Sequence, residues 1–263
     1  MASRHIQGDM QGKVALVTGT GSAEGIGFAT ARLLFEAGAS LVLTSTTNRI
    51  FDRQRTLDES GERCLAHVAD LTDAAQVEEL VERAIARFGR IDILINNAGM
   101  TQTGVDTPLP ELFHKLPFLQ WQREFDLNLN TCFHVTRTVL PHMLQAGYGR
   151  IVNIASVTGP LVTFPGTAGY SAAKSGMVGL TRAVAHEVAG QGVTVNAVAP
   201  GWIATHSSQP EEIAAGLHTP VGRPGTPEEI ARVVVFLASE GCSYLTGQML
   251  VVDGGNSLQE IKG

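Results

Sequence analysis

The residues best suited to chemistry stand close together in the second half of the chain: Tyr170-Ser171-Ala172-Ala173-Lys174, with Ser156 placed 14 positions before the tyrosine. On a helix, positions i and i+4 share a face, so the phenol of Tyr170 and the ammonium of Lys174 are neighbours. A free phenol titrates near 10, too high for ready proton exchange at neutral pH. A nearby ammonium favours the phenolate, so the pair is expected to lower that value and fit Tyr170 for general acid/base work. The same spacing also occurs on ordinary helices. Ser156 follows the apolar run 151–154. A hydroxyl at the carboxyl end of such a strand would donate to a carbonyl oxygen where open α/β sheets place their ligands. Its plainer role is that of a strand-end turn residue.

A second chemical region lies near the N-terminus. Thr18-Gly19-Thr20-Gly21-Ser22-Ala23-Glu24-Gly25-Ile26-Gly27 connects the apolar run 14–18 to a helical pattern. Glycines there let the backbone approach a pyrophosphate, and the helix N-terminus supplies unpaired N–H groups and a partial positive charge. A glycine-rich tight turn alone would use the same residues for their conformational freedom. The strand before and the helix after favour dinucleotide binding. At the end of the second apolar run, an acid would accept from a ribose 2′-hydroxyl and repel a 2′-phosphate. Thr44-Ser45-Thr46-Thr47-Asn48-Arg49 contains no carboxylate. Its hydroxyls and Arg49 can serve a phosphate, which favours NADP(H) and leaves NAD(H) as the alternative. The rival for this stretch is a hydrophilic turn with its arginine in water.

These groups need a scaffold, and the apolar pattern supplies one. Short runs at 14–18, 41–43, 91–95, 151–154 and 248–252 read as buried strands. Between them, Ile26, Ala29, Leu33 and Ala37, then Val77, Leu80, Val81, Ala84, Ile85 and Phe88, recur at helical spacing. Asp73 with Gln76 is expected to cap the latter helix, and Gly89 to end it. Thr226-Pro227-Glu228-Glu229 is a capping box with proline at the first helical position. Alternating strands and helices predict an α/β fold, a Rossmann-like doubly wound parallel sheet in three layers. A single domain is expected over 13–263, after a tail at 1–12, with substrate loops near 101–119 and 202–220. Leu109, Leu112, Phe113, Leu116, Phe118 and Trp202 suggest an apolar wall there, or packing on the body of the fold.

Composition narrows the partners. The 263 residues carry a net charge of −6, so no basic face points to nucleic acid or an anionic membrane. Apolar residues form 44% of the chain against 17% charged, enough for a substantial core. No apolar run approaches the roughly 18 residues of a membrane span, and no signal-peptide pattern opens the sequence. Cys64, Cys132 and Cys242 are scattered, which predicts buried free thiols in a reducing cytoplasm. The eight histidines show no metal-ligand spacing, and no metal is expected.

Taken together, Thr-Gly…Gly-Ile-Gly at 18–27, Asp70-Leu71, Asn96-Asn97-Ala98-Gly99, Asn128, Ser156, Tyr170-x-x-x-Lys174 and Pro200-Gly201 resemble the short-chain dehydrogenase/reductase family. The match covers nearly the whole chain, in the compact single-domain branch similar to 3-oxoacyl-carrier-protein reductases. The resemblance implies Tyr170 as catalytic acid/base, with Lys174 lowering its pKa and holding the nicotinamide ribose. It implies Ser156 orienting the carbonyl and Asn128 supporting a proton relay. For the cofactor it implies Gly19, Gly21, Gly25, Ile26 and Gly27 at the pyrophosphate, and Ser45, Thr46 and Arg49 at the 2′ position. Asp70 and Leu71 would meet the adenine, and Asn97, Ala98 and Gly99 the adenosine side. Pro200, Gly201, Ile203 and Thr205 would meet the nicotinamide. A ketone or alcohol substrate and a homotetramer follow from the same resemblance. The Tyr-to-Lys spacing is that of the family's ketone and alcohol enzymes, not of its enoyl reductases. Two departures stand out. Five residues separate Gly19 from Gly25 where the family has three, so either Gly19 or Gly21 takes the first glycine's role. Glu24 stands where NADP-binding members often carry a basic residue.

Overall fold

Val14-Ala15-Leu16-Val17-Thr18 is buried at every position, as a strand covered on both faces must be. A computed structural model describes residues 10–99 and 111–260 and places this strand third in one seven-stranded parallel sheet. The strands are β1 (Val14–Thr18), β2 (Ser40–Ser45), β3 (Cys64–Val68), β4 (Ile93–Asn96), β5 (Gly149–Ile154), β6 (Val193–Pro200) and β7 (Met249–Val252). They lie in the order β3-β2-β1-β4-β5-β6-β7, the doubly wound arrangement expected from the sequence. Residues 1–9 and 100–110, with Leu109 and most of the first expected substrate loop, lie outside the described residues.

Alternate residues of each strand feed two cores. Ala15, Val17, Leu41, Leu43, Ile93 and Ile95 face α1 (Ile26–Glu36) and α8 (Pro227–Ala238). Leu16, Val42, Leu94, Ile151 and Val195 face α3 (Ala74–Phe88), α5 (Thr131–Ala146) and α6 (Ala168–Val188). The shorter helices are α2 (Arg49–Leu57), α4 (Phe118–Phe125) and α7 (Pro210–Leu217). Among the described residues, no helix is long and apolar enough to cross a membrane. The three cysteines are buried free thiols.

Several local expectations need adjustment. The sequence patterns above do not mark β3 or β6. Strand β6 carries Thr194 and Asn196 among its apolar residues, yet both are buried. The Asn196 side chain is satisfied there, donating to Leu245 O at 2.7 Å and accepting from Gln248 N at 3.1 Å. Asp73 caps α3 by accepting from Ala75 N and also accepts from the Gln76 amide at 3.0 Å, while the Gln76 carbonyl accepts from Asp70 N, 2.9 Å away, rather than from Asp73 N. Gly89 ends that helix in the left-handed conformation.

The Thr226 capping box is complete. Its hydroxyl accepts from Glu229 N at 3.2 Å, and the Glu229 carboxylate accepts from Thr226 N at 2.8 Å. Arg223 closes a two-point bridge on that carboxylate and, by its hydrogen bonds, holds Glu229 down to about 2. Thr226→Ala removes one cap acceptor and should cost about 1 kcal/mol. The melting temperature in a thermal unfolding scan is expected to fall by about 2–4 °C.

Candidate active site

The order of strands reverses between β1 and β4, and a crevice opens there at their carboxyl ends. A short clamp builds it. The Thr18 hydroxyl accepts from Asn97 N and Ala98 N, both at 2.9 Å, and donates to Ile95 O at 3.3 Å. The Asn97 side-chain amide donates to Thr18 O and Gly19 O, both at 3.0 Å. Asn97 therefore shapes the turn with its amide nitrogen. Gly19 has φ +68°, and a Cβ there would lie 2.8 Å from Ala98 Cα. A Cβ on Gly27 would collide with the Asn97 amide and lie 2.7 Å from Gly19 O. Gly19, not Gly21, thus occupies the tight first position.

The extra residues of the turn lean on β2. Thr20 N donates to Thr44 O at 3.1 Å, and a Cβ on Gly21 would meet Ser45 Cβ at 3.0 Å. Gly25 is the N-cap of α1 and offers no side-chain cap, and Ile26 begins the helix with no acid in its first turn. A cradle that admits no Cβ, facing helix N–H groups without a capping side chain, fits the pyrophosphate of a dinucleotide.

The remaining predicted cofactor residues ring this turn. The Ser45 hydroxyl donates to Thr47 O at 3.0 Å, and Arg49 Nε donates to Thr47 Oγ1 at 3.2 Å. One guanidinium nitrogen lies 3.9 Å from the position a Gly21 Cβ would take, so Arg49 borders the glycine turn. Thr46 is exposed. The Glu24 carboxylate faces His206 at 3.8 Å, turned toward the 202–220 segment. Asp70 accepts from Thr72 N and Oγ1 and lines an open cavity of about 320 Å³ with Leu119, Arg123 and Leu127. Leu71 is buried. On the other lip, Pro200 O accepts from Val157 N, and Gly201 N donates to Val252 O. Ile203 O accepts from Ser208 Oγ at 2.9 Å, and Thr205 shares its hydroxyl with Ser207 and Ser208.

The four predicted catalytic residues come from three places. Ser156 follows β5, Tyr170 and Lys174 lie on α6, and Asn128 sits in a π-helical turn, Asp126–Asn130, between α4 and α5. Such turns insert an extra residue and re-aim side chains. Below them, Asn96 donates to Thr136 Oγ1 and Asn153 Oδ1, and Asn153 donates to Thr181 Oγ1, each at 2.8–2.9 Å. This buried chain ties β4 and β5 to α5 and α6. The Ser156 hydroxyl accepts from Thr158 N at 3.0 Å and favours the phenolate of Tyr170. Lys174, 3% exposed, donates to Ile154 O at 2.8 Å, with its Nζ 5.8 Å from the centre of the Tyr170 ring.

The electrostatics differ from the sequence expectation. Burial pushes the Tyr170 phenol up to about 12, only partly offset by the Ser156 hydrogen bond, and Glu124 and Glu212 push the same way. Burial brings Lys174 down to about 8. The expected lowering of the phenol by its ammonium neighbour is not what the geometry yields, because burial of the phenol is the largest influence on it. The phenol is the protonated, donating form at neutral pH, and the amine titrates close to it.

Apolar side chains stand open around this end. Phe113 is 74% exposed and Phe118 70%, so these two do not pack on the body of the fold. Trp202 meets Phe164 at 6.2 Å between ring centres. Thr18, read in the sequence only as the start of the glycine turn, is the hub of the clamp, and two residues outside that reading also matter: Asn153 as the hub of the buried chain and Glu124 beside Asn128. Their only sequence signal is position, one strand end, one mid-strand site and one helical turn before Asn128. Gly27→Ala should disrupt the Asn97 clamp, lowering stability by about 1–3 kcal/mol in denaturant unfolding and weakening dinucleotide binding in a fluorescence titration.

The chain from 19 to 257 matches a family model described as enoyl-(acyl carrier protein) reductase. Among its relatives, 3-oxoacyl-(acyl-carrier-protein) reductase FabG of Thermotoga maritima is 38% identical, with 94% of this chain and 98% of that protein covered. Cis-4-hydroxycyclohexanecarboxylate dehydrogenase of Sinomonas cyclohexanicum is 40% identical, with 92% and 96% covered. A solved short-chain dehydrogenase/reductase of Burkholderia xenovorans superposes with a TM-score of 0.85 at 37% identity, covering 96% of this chain and 99% of that one. A variant from Serratia marcescens gives 0.84 at 33%, covering 95% and 99%. The glycine cradle, the Ser156–Tyr170–Lys174 cluster and these likenesses agree: the chain belongs to the short-chain dehydrogenase/reductase family.

Proposed function

We propose that this member of an NAD(P)-dependent oxidoreductase family reduces an apolar ketone to its alcohol, with NADP(H) as the favoured cofactor and Tyr170 as the acid. The observation that carries this reading is the meeting of three side chains: the Ser156 hydroxyl favours the Tyr170 phenolate, and Lys174, 3% exposed, sets its Nζ 5.8 Å from the centre of the Tyr170 ring. When bound, the nicotinamide supplies the hydride. The chain's own residues handle the oxygen. Ser156 and Tyr170 present two hydroxyls to one carbonyl oxygen. Tyr170 gives up its proton as the alcohol O–H forms, and the Lys174 ammonium, titrating about 8, replaces it. Asn128 stands beside Lys174 to pass protons onward. The reverse sequence oxidises an alcohol, and the 40%-identical dehydrogenase keeps that direction as the alternative.

The substrate class rests on the rim. Leu161, Phe164 and Trp202 follow Ser156 and Gly201 with much apolar surface uncovered, which suits an aryl or cycloalkyl ketone. Exposed Glu211 opens α7 on the same side, a poor match for an acidic carrier protein. NADP(H) is supported by Arg49 over the glycine turn and by Glu24 turning to His206. Membership of the family also suggests a homotetramer built on the open faces of α5 and α6. A Cβ on Gly179 would meet open space, whereas one on Gly176 would lie 3.0 Å from Leu129 of its own chain.

Two measurements test the reading. In a panel of acetophenone, cyclohexanone and related ketones, Tyr170→Phe should lose turnover by about 100- to 10,000-fold while keeping cofactor affinity. Undiminished turnover in that variant would overturn the assignment. The ratio of kcat/KM for NADPH over NADH should exceed one and drop about tenfold in Arg49→Ala, as loss of a charge-assisted phosphate contact requires. An unchanged ratio would remove Arg49 from the 2′ site.

A further inference from the structure

Glu124 is the last acid of α4, one helical turn before Asn128, and its carboxyl is half-buried between that turn and the start of α6. A Cβ on Gly169, the residue before Tyr170, would lie 3.0 Å from both Cβ and Cγ of Glu124. Two oxygens of Glu124 receive the Asn128 side chain. Asn128 Nδ2 donates to the Glu124 backbone oxygen at 3.0 Å and to its carboxylate Oε2 at 3.2 Å.

An asparagine amide has two nearly isosteric ends, and only its hydrogen-bond partners decide which end points where. An ionised carboxylate accepts and cannot donate, so it must face the amide nitrogen. Asn128 Nδ2 gives two hydrogen bonds to Glu124, and Oδ1 lies toward Gly99. A Cβ at Gly99 would lie 3.0 Å from Asn128 Oδ1 and 3.7 Å from Lys174 Nζ. The oxygen and the buried amine therefore border the same point. Reversing the amide would set an N–H group against an ammonium.

We propose that Glu124 is a positioning residue for the proton path: by holding the amide nitrogen of Asn128, it fixes the oxygen that Asn128 presents beside Lys174. This rests on the reading of Tyr170, Lys174 and Asn128 given above. Glu124 also acts at a distance. Its negative charge opposes the Tyr170 phenolate, as does that of Glu212 on α7, while Ser156 favours it; Arg123 on α4 keeps Glu124 from rising further under burial. The sign follows directly. Removing the charge of Glu124 eases loss of the Tyr170 proton, so alcohol oxidation, which needs the phenolate, should gain its alkaline rise at lower pH.

The test uses the full-length enzyme with the fastest ketone of the panel above and its alcohol. Glu124→Gln keeps an acceptor but loses the charge and can itself reverse, whereas Glu124→Leu offers no side-chain acceptor. The kcat for reduction should fall about tenfold in Glu124→Leu, the cost of one charge-assisted hydrogen bond, and less in Glu124→Gln. Cofactor affinity should not change, and the oxidation profile of Glu124→Gln should shift to lower pH. A packing role alone would lower the melting temperature without moving that profile. Wild-type kcat with an unmoved profile in Glu124→Gln overturns the proposal, whether or not Glu124→Leu folds. Tyr170→Phe runs alongside: if it is inactive while both Glu124 variants are normal, only the role of Glu124 falls, and if it is active, both readings fall.

Discussion

The site depends on one buried amine. Lys174 is almost fully withdrawn from water, and its Nζ is held by the last carbonyl of β5 at 2.8 Å. Burying an ammonium is costly unless it is hydrogen-bonded or gives up its proton. The structure uses both routes: the Ile154 oxygen takes one donor, and burial draws the amine down to about 8. The same contact joins α6 to β5, so Tyr170 on the helix and Ser156 after the strand are set against each other. A lysine of this kind has a structural and a chemical task that cannot be separated.

The supports beneath it explain why the geometry is reproducible. Asn96, Asn153, Thr136 and Thr181 form a chain of buried side-chain hydrogen bonds through the sheet into both covering helices. Each member is polar in an apolar interior, so any shift of α5 or α6 leaves a donor or acceptor unmet. On the other side of the crevice, Thr18 and Asn97 lock the ends of β1 and β4 together and leave room only for glycine at 19 and 27. The glycine cradle and the Ser156–Tyr170–Lys174 cluster thus hang from neighbouring strands of one sheet. Electrostatically they differ: the cradle faces helix N–H groups with no capping side chain, while burial in the cluster keeps the phenol protonated.

Much of this was legible in the residues. Apolar runs flanked by glycine located β1, β2, β4, β5 and β7, because fully buried parallel strands carry continuous hydrophobic sequence. Strand β6 escaped that pattern, since Asn196 is polar and becomes acceptable only through partners some 50 positions away. The i, i+4 spacing of Tyr170 and Lys174 announced a shared helix face. It did not announce where the amine would point, which depends on a carbonyl of another element. Nor did it announce how deeply the phenol would be buried, and burial raises its value instead of lowering it. The ambiguity over the first glycine was likewise a three-dimensional one, resolved by the closeness of Ala98 to Gly19.

The central claim is that Lys174 is a buried amine able to exchange protons near neutral pH behind a phenol that stays protonated. The chain contains only four lysines, Lys13, Lys115, Lys174 and Lys262, so each can be followed separately. NMR titration of 13C-labelled lysine side chains should show one amine with a midpoint near 8 that is absent from Lys174→Met. A spectrum with no amine titrating near 8, or with that signal still present in Lys174→Met, would contradict the account.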